Sequence, residues 1–207
     1  MEEILVHLPY FGPISHFAEI VKPAVIWFEN EDNYQKQTYR NRTYIYGANG
    51  KLLLNIPIKH LNKPGVKEHQ RYKDVLLEND FNWQLQHWKS LKSAYQTSPF
   101  FEYYEDDIAP LFEGKENFLM EFNYKCFHKV LECLQLSIPY KLTSEYIKEP
   151  VGITDRRDLI NAKRYIEVPE YTQVFQEKNG FLHDLSILDL LFNEGPNTVN
   201  YLREFKN

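Results

Sequence analysis

The 207-residue chain contains only two cysteines, and it has no long uninterrupted run of apolar residues. A membrane-spanning helix needs about 18 such residues, so the sequence predicts no membrane span. The amino terminus begins Met-Glu-Glu and lacks the basic region and apolar core of a secretory signal. Cys126 and Cys133 lie two turns apart in a helical pattern, too far apart for an easy disulfide. These absences favour a cytoplasmic protein with reduced, buried cysteines.

The familiar catalytic and nucleotide-binding motifs are also missing. There is no glycine-rich phosphate loop, no Gly-x-Gly-x-x-Gly and no Gly-x-Ser-x-Gly element. His60 and His69 share a polar loop at residues 60–70, but no closely spaced set of histidine, cysteine and carboxylate side chains accompanies them, so no metal site is predicted. The net charge of −5 argues against a general nucleic-acid binder. These residues identify no cofactor.

The composition that remains is that of an ordinary globular protein, with 43% hydrophobic and 26% charged residues. A chain of this length can bury a substantial core, and no composition shift or repeat marks a boundary. Residues 1–207 are therefore predicted to form a single domain. The 15 tyrosines offer rings for packing and hydroxyl groups for polar ligands such as sugars.

The hydrophobic pattern predicts an α/β fold. Residues 4–10 and 24–28 read as buried strands on either side of a helix at residues 14–21, which together predict a parallel βαβ unit. The pattern from 137 to 180 is weak and is divided by prolines. The other predicted elements are a hairpin of strands at 43–46 and 52–58, a strand at 72–77, and helices at 82–97 and 116–135. We therefore expect a mixed sheet with an N-terminal βαβ unit, a β-hairpin and several packed helices.

The stretch from Phe181 to Pro196 carries the clearest helix signal. Its apolar residues cover most of the helix circumference, so the helix is expected to be largely buried, and a Gly-Pro pair ends it. Ser186, Asp189 and Asn193 fall together on the remaining narrow strip. A polar strip on a buried helix suits the wall of a site. A solvent-facing strip on a core helix is the alternative.

Arg40, Asn41 and Arg42 stand at the entry to the predicted hairpin. Strand alternation places Arg40 and Arg42 on the same face, where two guanidinium groups suit a phosphate or a carboxylate. Asn41 is expected to orient the substrate. One alternative is a pair of surface arginines on a half-exposed strand. If the pair is instead structural, it would bind buried carboxylates such as Glu29 or Asp32.

Two histidines are candidates for a general base, because the pKa of an imidazole lies near neutrality. His7 lies in the first predicted strand, shortly before a helix, which is a common position for ligands in α/β folds. Tyr10 follows it and is taken as substrate-binding. His87 lies beside Trp88 on the predicted helix at 82–97. The alternative is that both histidines are buried core residues with structural hydrogen bonds.

A set of short segments makes the sequence similar to the WbqC-like family. Each segment is modest by itself, but the ordered set is fairly specific and spans nearly the whole chain. The segments are Leu8–Pro13, the helix Ile14–Val21, Tyr39–Thr43, Leu54–Ile58, His87-Trp88, Ser93–Tyr95, Ser98–Phe101 and Leu185–Pro196.

The resemblance implies a bacterial cytoplasmic protein associated with surface-polysaccharide or O-antigen synthesis, for which a transferase role is commonly suspected. The chain departs from the family in two places. His7 stands where many members have glutamine, and the glycine-rich segment that many members carry is not found between residues 140 and 180. If that segment binds a donor, this chain binds a different donor or none.

The leading hypothesis is an enzyme that transfers a group to or from an activated sugar or glycan bearing an anionic group. The alternative is a non-catalytic binding or scaffold protein of a polysaccharide assembly system, with the aromatic residues at 95–104 as its contact patch. The catalytic candidates are His7, His87 and Asp189, and the substrate-binding candidates are Tyr10, Arg40, Asn41, Arg42 and Asn193.

Overall fold

A computed structural model describes residues 2–59 and 70–205, so the predicted loop with His60 and His69 lies outside the described residues. Within them, the strands are β1 (Glu3–Val6), β2 (Val25–Phe28), β3 (Arg42–Gly47), β4 (Gly50–Asn55), β5 (Tyr140–Leu142) and β6 (Thr154–Asp155). The helices are α1 (Ile14–Ile20), α2 (Trp83–Tyr95), α3 (Phe101–Ile108), α4 (Leu119–Cys133), α5 (Gln176–Asn179), α6 (Ile187–Glu194) and α7 (Thr198–Glu204). Short 3-10 turns cover Tyr72–Asp74, Ala109–Phe112, Arg157–Ile160 and Gly195–Asn197. The predicted α/β class is confirmed.

Four strands form a parallel sheet in the order β5–β2–β1–β6. β1 pairs with β2 in the register Ile4 to Ile26, and α1 connects the two strands, so the predicted βαβ unit is confirmed. On its other side β1 pairs with β6, with Ile4 opposite Thr154. An inner parallel strand is covered on both faces, which explains why the residues of β1 after Glu3 are all apolar and buried. Because the pairs are parallel, the carboxyl ends of β1, β2 and β6 lie at the same edge.

β3 and β4 form an antiparallel hairpin, in a sheet separate from the parallel one. Gly47 pairs with Gly50 across the turn, and Gly50 has a φ of +102°. Glycine adopts this conformation without steric cost, which is why the sequence Gly47-Ala-Asn-Gly50 can form the turn between the two strands.

The predicted strand at residues 72–77 is wrong. A 3-10 turn covers Tyr72–Asp74, and Leu76 and Leu77 make isolated bridges to two other segments. The Tyr72 ring is fully buried, and its hydroxyl donates a hydrogen bond of 2.7 Å to the carbonyl oxygen of Leu8. The apolar character of this stretch therefore reflects burial and not an extended strand.

The segment Leu8–Pro13, which follows β1, is held by both the hairpin and the α6 region. The carbonyl oxygen of Phe11 accepts hydrogen bonds from Thr43 Oγ1 at 2.8 Å and from Ser186 Oγ at 2.9 Å. The backbone N–H of Ser186 in turn donates to the carbonyl of Tyr44 on β3 at 2.8 Å. Three segments that are distant in the sequence therefore meet around one loop.

The amino-terminal end of α1 is capped from the far end of the chain. The residue before the helix is Pro13, which has no side-chain acceptor, and Asp184 takes its place. The Asp184 carboxylate accepts hydrogen bonds from the backbone N–H and from Oγ of Ser15, both at 2.8 Å. Burial raises the pKa of Asp184 to about 6. A local element thus depends on a contact that spans 169 positions.

The helices enclose a core that is rich in aromatic rings. The Phe127 ring of α4 lies 5.1 Å from Phe28 on β2 and 6.5 Å from Phe17 on α1. α2 reaches the hairpin, where the hydroxyl of Tyr95 accepts a hydrogen bond of 3.0 Å from the backbone N–H of Tyr46. Across residues 2–59 and 70–205, each helix is too short or too polar to cross a membrane.

Candidate functional site

A pocket of about 490 Å³ opens at the carboxyl ends of β1 and β6. His7 directly follows β1, and the 3-10 turn Arg157–Ile160 directly follows Asp155 and Arg156 at the end of β6. In open α/β sheets, ligands bind in the crevice outside the carboxyl ends of the strands, at the point where the strand order reverses. The pocket is lined by His7, Asp32, Gln35, Lys36, Gln37, Thr38, Tyr146, Arg157, Asp158, Ile160, Asn161 and Lys163.

His7, Asp32 and Arg40 form a triangle, in which His7 and Asp32 line the pocket and the fully buried Arg40 does not. Asp32 Oδ2 lies 3.1 Å from His7 Nε2 and 2.9 Å from Arg40 Nη2, and the two nitrogens are 2.9 Å apart. Arg40 is fully buried, donates a second bond of 3.3 Å to Thr38 Oγ1, and has its guanidinium carbon 5.4 Å from the centre of the Tyr72 ring. The guanidinium is therefore enclosed by protein groups and holds Asp32 against His7.

Asp32 and Arg40 both meet His7 at Nε2. Asp32 Oδ2, at 3.1 Å, can only accept a hydrogen bond, and Arg40 Nη2, at 2.9 Å, can only donate one, so each neutral tautomer of His7 satisfies one of the two contacts. Within the described part of the chain, the buried Nδ1 has no hydrogen-bond partner. Burial lowers the pKa of His7. The hydrogen bond with Asp32 raises this pKa and the charge of Arg40 lowers it, but burial has the largest effect. The imidazole is therefore neutral at neutral pH.

Arg157 forms the neighbouring part of the wall. Its guanidinium lies 2.7 Å from Asp155 Oδ2 and 3.3 Å from Glu29 Oε2, and it donates a hydrogen bond of 2.6 Å to the carbonyl of Ile147. The hydrogen bond from Arg157 lowers the pKa of Asp155. Glu29 is fully buried at the end of β2. Protein carboxylates therefore already neutralise the charge of Arg157.

Lys36 and Lys163 give the pocket mouth a net positive charge. Both side chains line the pocket, and both residues are exposed. The acidic lining residues are compensated, because Asp32 pairs with Arg40, and Asp158 pairs with an arginine outside the pocket. The two lysines therefore favour a ligand that carries a phosphate or a carboxylate.

Tyr10 and His87 form a separate buried pair. The Tyr10 hydroxyl lies 2.9 Å from His87 Nδ1, and the Trp83 ring packs 5.2 Å from the imidazole. Burial lowers the pKa of His87 to about 4 and raises the pKa of Tyr10. Neither residue lines the pocket that contains His7. Their geometry is that of a hydrogen-bonded pair inside an aromatic core.

Asp189 is the centre of another buried network. The fully buried carboxylate accepts hydrogen bonds from Tyr95 at 2.6 Å, from Tyr171 at 2.5 Å and from Gln173 Nε2 at 3.1 Å. Burial raises the pKa of Asp189 to about 6. Asn193 donates a hydrogen bond of 2.7 Å to the carbonyl of Asp189. The polar strip of α6 therefore faces the interior of the protein and not solvent.

Asn41 and Arg42 lie at the open end of the hairpin. The side chain of Asn41 donates a hydrogen bond of 2.9 Å to the carbonyl of Ile56, and the backbone N–H of Ile56 donates back to the carbonyl of Asn41 at 2.8 Å. Arg42 is the first residue of β3, is half-buried, and has an Nε without a hydrogen-bond partner in the described ranges. Asn41 thus closes the hairpin end.

The structure brings His7 and Arg40 into contact, and of the predicted site residues, all of which the structure describes, only His7 lines the pocket. The catalytic and substrate-binding roles of these residues stay predictions. Sequence reasoning missed Arg157 and Asp155, because nothing in the local pattern links them to His7. Among residues 2–59 and 70–205, no group of three or more histidine, cysteine and acidic side chains is arranged to hold a metal ion.

The aromatic segment at residues 95–104 belongs mainly to the core. Tyr95, Phe101 and Tyr104 are buried, and Tyr103 is 68% exposed. The Phe101 ring lies 5.1 Å from Phe192 of α6. This arrangement provides no continuous aromatic contact patch for a partner.

Comparisons with known proteins identify a family and a distant relative. The model of the WbqC-like protein family matches residues 7–167 and 156–201, which include the His7 pocket and α6. The uncharacterized protein Rv1507c of Mycobacterium tuberculosis is 26% identical over 229 residues. The alignment covers 95% of this chain and 94% of that protein. No solved structure matches the chain.

Proposed function

We propose that this chain, which belongs to the WbqC-like protein family, transfers a group to or from an activated sugar or glycan in the pocket that contains His7. A place in bacterial surface-polysaccharide synthesis, of the O-antigen type, is what the family resemblance implies. One observation carries the proposal: a neutral histidine, oriented by a carboxylate, lies at the carboxyl edge of a parallel sheet. The pocket has the volume of a small-molecule site.

His7 acts as the general base in this proposal. The proposal uses the tautomer in which Nε2–H donates to Asp32 and Nδ1 is bare, and it requires that substrate binding open a path to Nδ1, which is buried in this structure. Nδ1 then accepts the proton of an acceptor hydroxyl, and the hydroxyl oxygen attacks the activated centre while the leaving group departs with the bonding electrons. Asp32 orients the imidazole and stabilises the imidazolium that forms, as a carboxylate does in a catalytic triad. Arg40 positions Asp32 and acts through it.

The anionic group of the substrate binds at the pocket mouth. Lys36 and Lys163 are assigned to this role, because both line the pocket and both are exposed. Arg40 is fully buried and bound to Asp32, so we assign it to positioning and not to anion binding. Charge-assisted hydrogen bonds contribute about 1.5–3 kcal/mol each, which makes the lysines a measurable part of affinity.

Thermal unfolding in the presence of activated sugars tests this proposal. UDP-glucose and UDP-N-acetylglucosamine serve as probes, and a ligand at 100 times its Kd stabilises the folded state by about 2.7 kcal/mol. The double variant Lys36→Gln/Lys163→Gln is expected to lose the shift in Tm. Lys115→Gln, an exposed lysine that does not line the pocket, is the control and is expected to keep it.

His7→Gln separates binding from chemistry. The variant keeps both lysines, so it is expected to retain the Tm shift and to lose at least 100-fold in the rate of transfer, the usual size of a general-base contribution. If no activated donor shifts the Tm of the wild type, or if the shift survives in the double lysine variant, the proposal fails. The non-catalytic scaffold hypothesis then becomes the better account.

A further inference from the structure

A second pocket of about 470 Å³ lies where α6 meets the loop after α2 and the segment that leads into α5. It shares no lining residue with the His7 pocket. Its walls are mostly neutral amide and hydroxyl side chains, among them Thr97, Ser98, Gln173, Gln176 and Asn193. Among the described residues that line it, Glu177 is the one that is charged.

The floor of this pocket is fixed by the Asp189 network. Gln173, 3% exposed, donates to the Asp189 carboxylate and exchanges hydrogen bonds of 2.9 Å with both backbone groups of Leu182. Asn193, 7% exposed, is held through its hydrogen bond to the carbonyl of Asp189. The Ser98 hydroxyl donates a hydrogen bond of 2.7 Å to the backbone carbonyl of Tyr95. The side-chain hydroxyl of Tyr95 in turn donates a hydrogen bond to Asp189. The polar floor is therefore rigid before any ligand arrives.

Two of these buried side chains keep hydrogen-bonding capacity for a ligand. A side-chain amide has two N–H donors and an acceptor oxygen, and the bond to Asp189 uses one donor of Asn193. The Ser98 hydroxyl uses its hydrogen on Tyr95, which leaves the lone pairs of its oxygen as acceptors. The pocket therefore offers donors and acceptors side by side, with Pro99 and Val174 as apolar surface next to them.

We propose that this second pocket binds a neutral, hydroxyl-rich ligand such as a single sugar unit. Each ligand hydroxyl both donates and accepts, which matches paired amide and hydroxyl groups. The C–H groups of a sugar ring find apolar contact on Pro99 and Val174. Anionic ligands are disfavoured, because the lining residues that the structure describes include Glu177 and neither lysine nor arginine. This site is independent of the proposed transfer at His7.

Titration of the isotope-labelled full chain, followed by NMR, tests the proposal. The probes are glucose, galactose and N-acetylglucosamine, with glucuronate as a charged analogue of similar size. The neutral sugars are expected to shift the amide signals of Ser98, Gln173 and Asn193. Glucuronate is expected to bind at least fivefold more weakly.

Asn193→Ala provides the residue-level test. The Asp189 carbonyl keeps its helical hydrogen bond after this change, and alanine is a strong helix former, so the fold is expected to remain. Sugar affinity is expected to fall at least fivefold. Asn200→Ala, the same change at an exposed position of α7, is the control and is expected to bind like wild type.

Three results would overturn this inference. They are the absence of any signal shift with all three neutral sugars, equal binding of glucuronate, and unchanged affinity in Asn193→Ala. None of these results bears on the proposed transfer reaction, because that proposal is tested with nucleotide sugars and with the variant of Lys36 and Lys163.

Discussion

At the scale of single residues, Asp32 is the group on which the His7 triangle depends. It is the carboxylate partner of Arg40, which is fully buried. Removing one member of a buried ion pair leaves the other charge without compensation, and this costs about 3–5 kcal/mol. We therefore expect Asp32→Ala to lower the free energy of unfolding by at least about 3 kcal/mol, measured by urea denaturation.

Asp158→Ala is the matched control for this prediction. Asp158 also lines the pocket and also pairs with an arginine, but its side chain is 62% exposed. Exposed ion pairs contribute about 0–1 kcal/mol, so a small loss is expected. Equal losses in the two variants would show that burial of Arg40 does not control the stability of the triangle.

Arg40 also shows the limit of sequence reasoning at this scale. Alternation along a strand placed Arg40 and Arg42 on one face, but the strand begins at Arg42, so the rule does not apply to Arg40. Whether an arginine meets a ligand or a buried carboxylate depends on which chain segment folds over it. Asp32 was recognisable as a structural partner only because it lies nearby in sequence.

At the scale of elements, Gly195 determines how α6 ends. Its φ is +53°, and an added Cβ would lie 2.5 Å from the Phe100 ring. Gly195→Ala therefore introduces both backbone strain and overpacking, each of which costs about 1–3 kcal/mol. A loss of at least about 2 kcal/mol in unfolding free energy is expected from chemical denaturation.

The comparison variant is Gly114→Ala. Gly114 is exposed, and an added Cβ there meets no atom within 4 Å. Its stability is expected to stay within about 0.5 kcal/mol of wild type. A loss as large as that of Gly195→Ala would mean that the contact with Phe100 is not the cause.

The elements that could be predicted from sequence are those with a strong local pattern. β1, α1, β2 and the hairpin carry their own apolar periodicity and turn residues, and all are present. β5 and β6 could not be predicted, because they are only three and two residues long and exist through pairing with distant strands. Sequence patterns record burial more directly than conformation, which also explains the wrong strand at residues 72–77.

At the scale of the whole molecule, buried titratable groups oppose one another. Burial lowers the pKa of His7, His16 and His87, so below about pH 6.5 the unfolded chain binds protons that the folded chain does not, and stability falls. Burial raises the pKa of Asp184 and Asp189 to about 6, so stability rises as the pH falls through 6. Three histidines act against two carboxyl groups, and a strongly lowered histidine costs more by pH 5 than a carboxyl group with a pKa of about 6 contributes. We therefore expect the free energy of unfolding to fall as the pH is lowered from about 7 to about 5.

His16 allows these contributions to be separated. It is 1% exposed, neither ring nitrogen has a hydrogen-bond partner in the described chain, and burial lowers its pKa to about 3. His16→Leu removes the protonation that favours the unfolded chain in acid. The difference in free energy of unfolding between the variant and the wild type should therefore be about 2 kcal/mol more favourable to the variant at pH 5 than at pH 7.5. Equal effects at the two pH values, measured by urea denaturation, would contradict this assignment.

The capping of α1 by Asp184 has a consequence for synthesis on the ribosome. β1, α1 and β2 are synthesised before β6 and Asp184. Until those segments have been made, the nascent chain has an uncapped helix and a strand edge without its partner, and exposed edges can pair with other chains. We therefore expect these first elements to depend on shielding, by the ribosome or a chaperone, until the segment with Asp184 has been made.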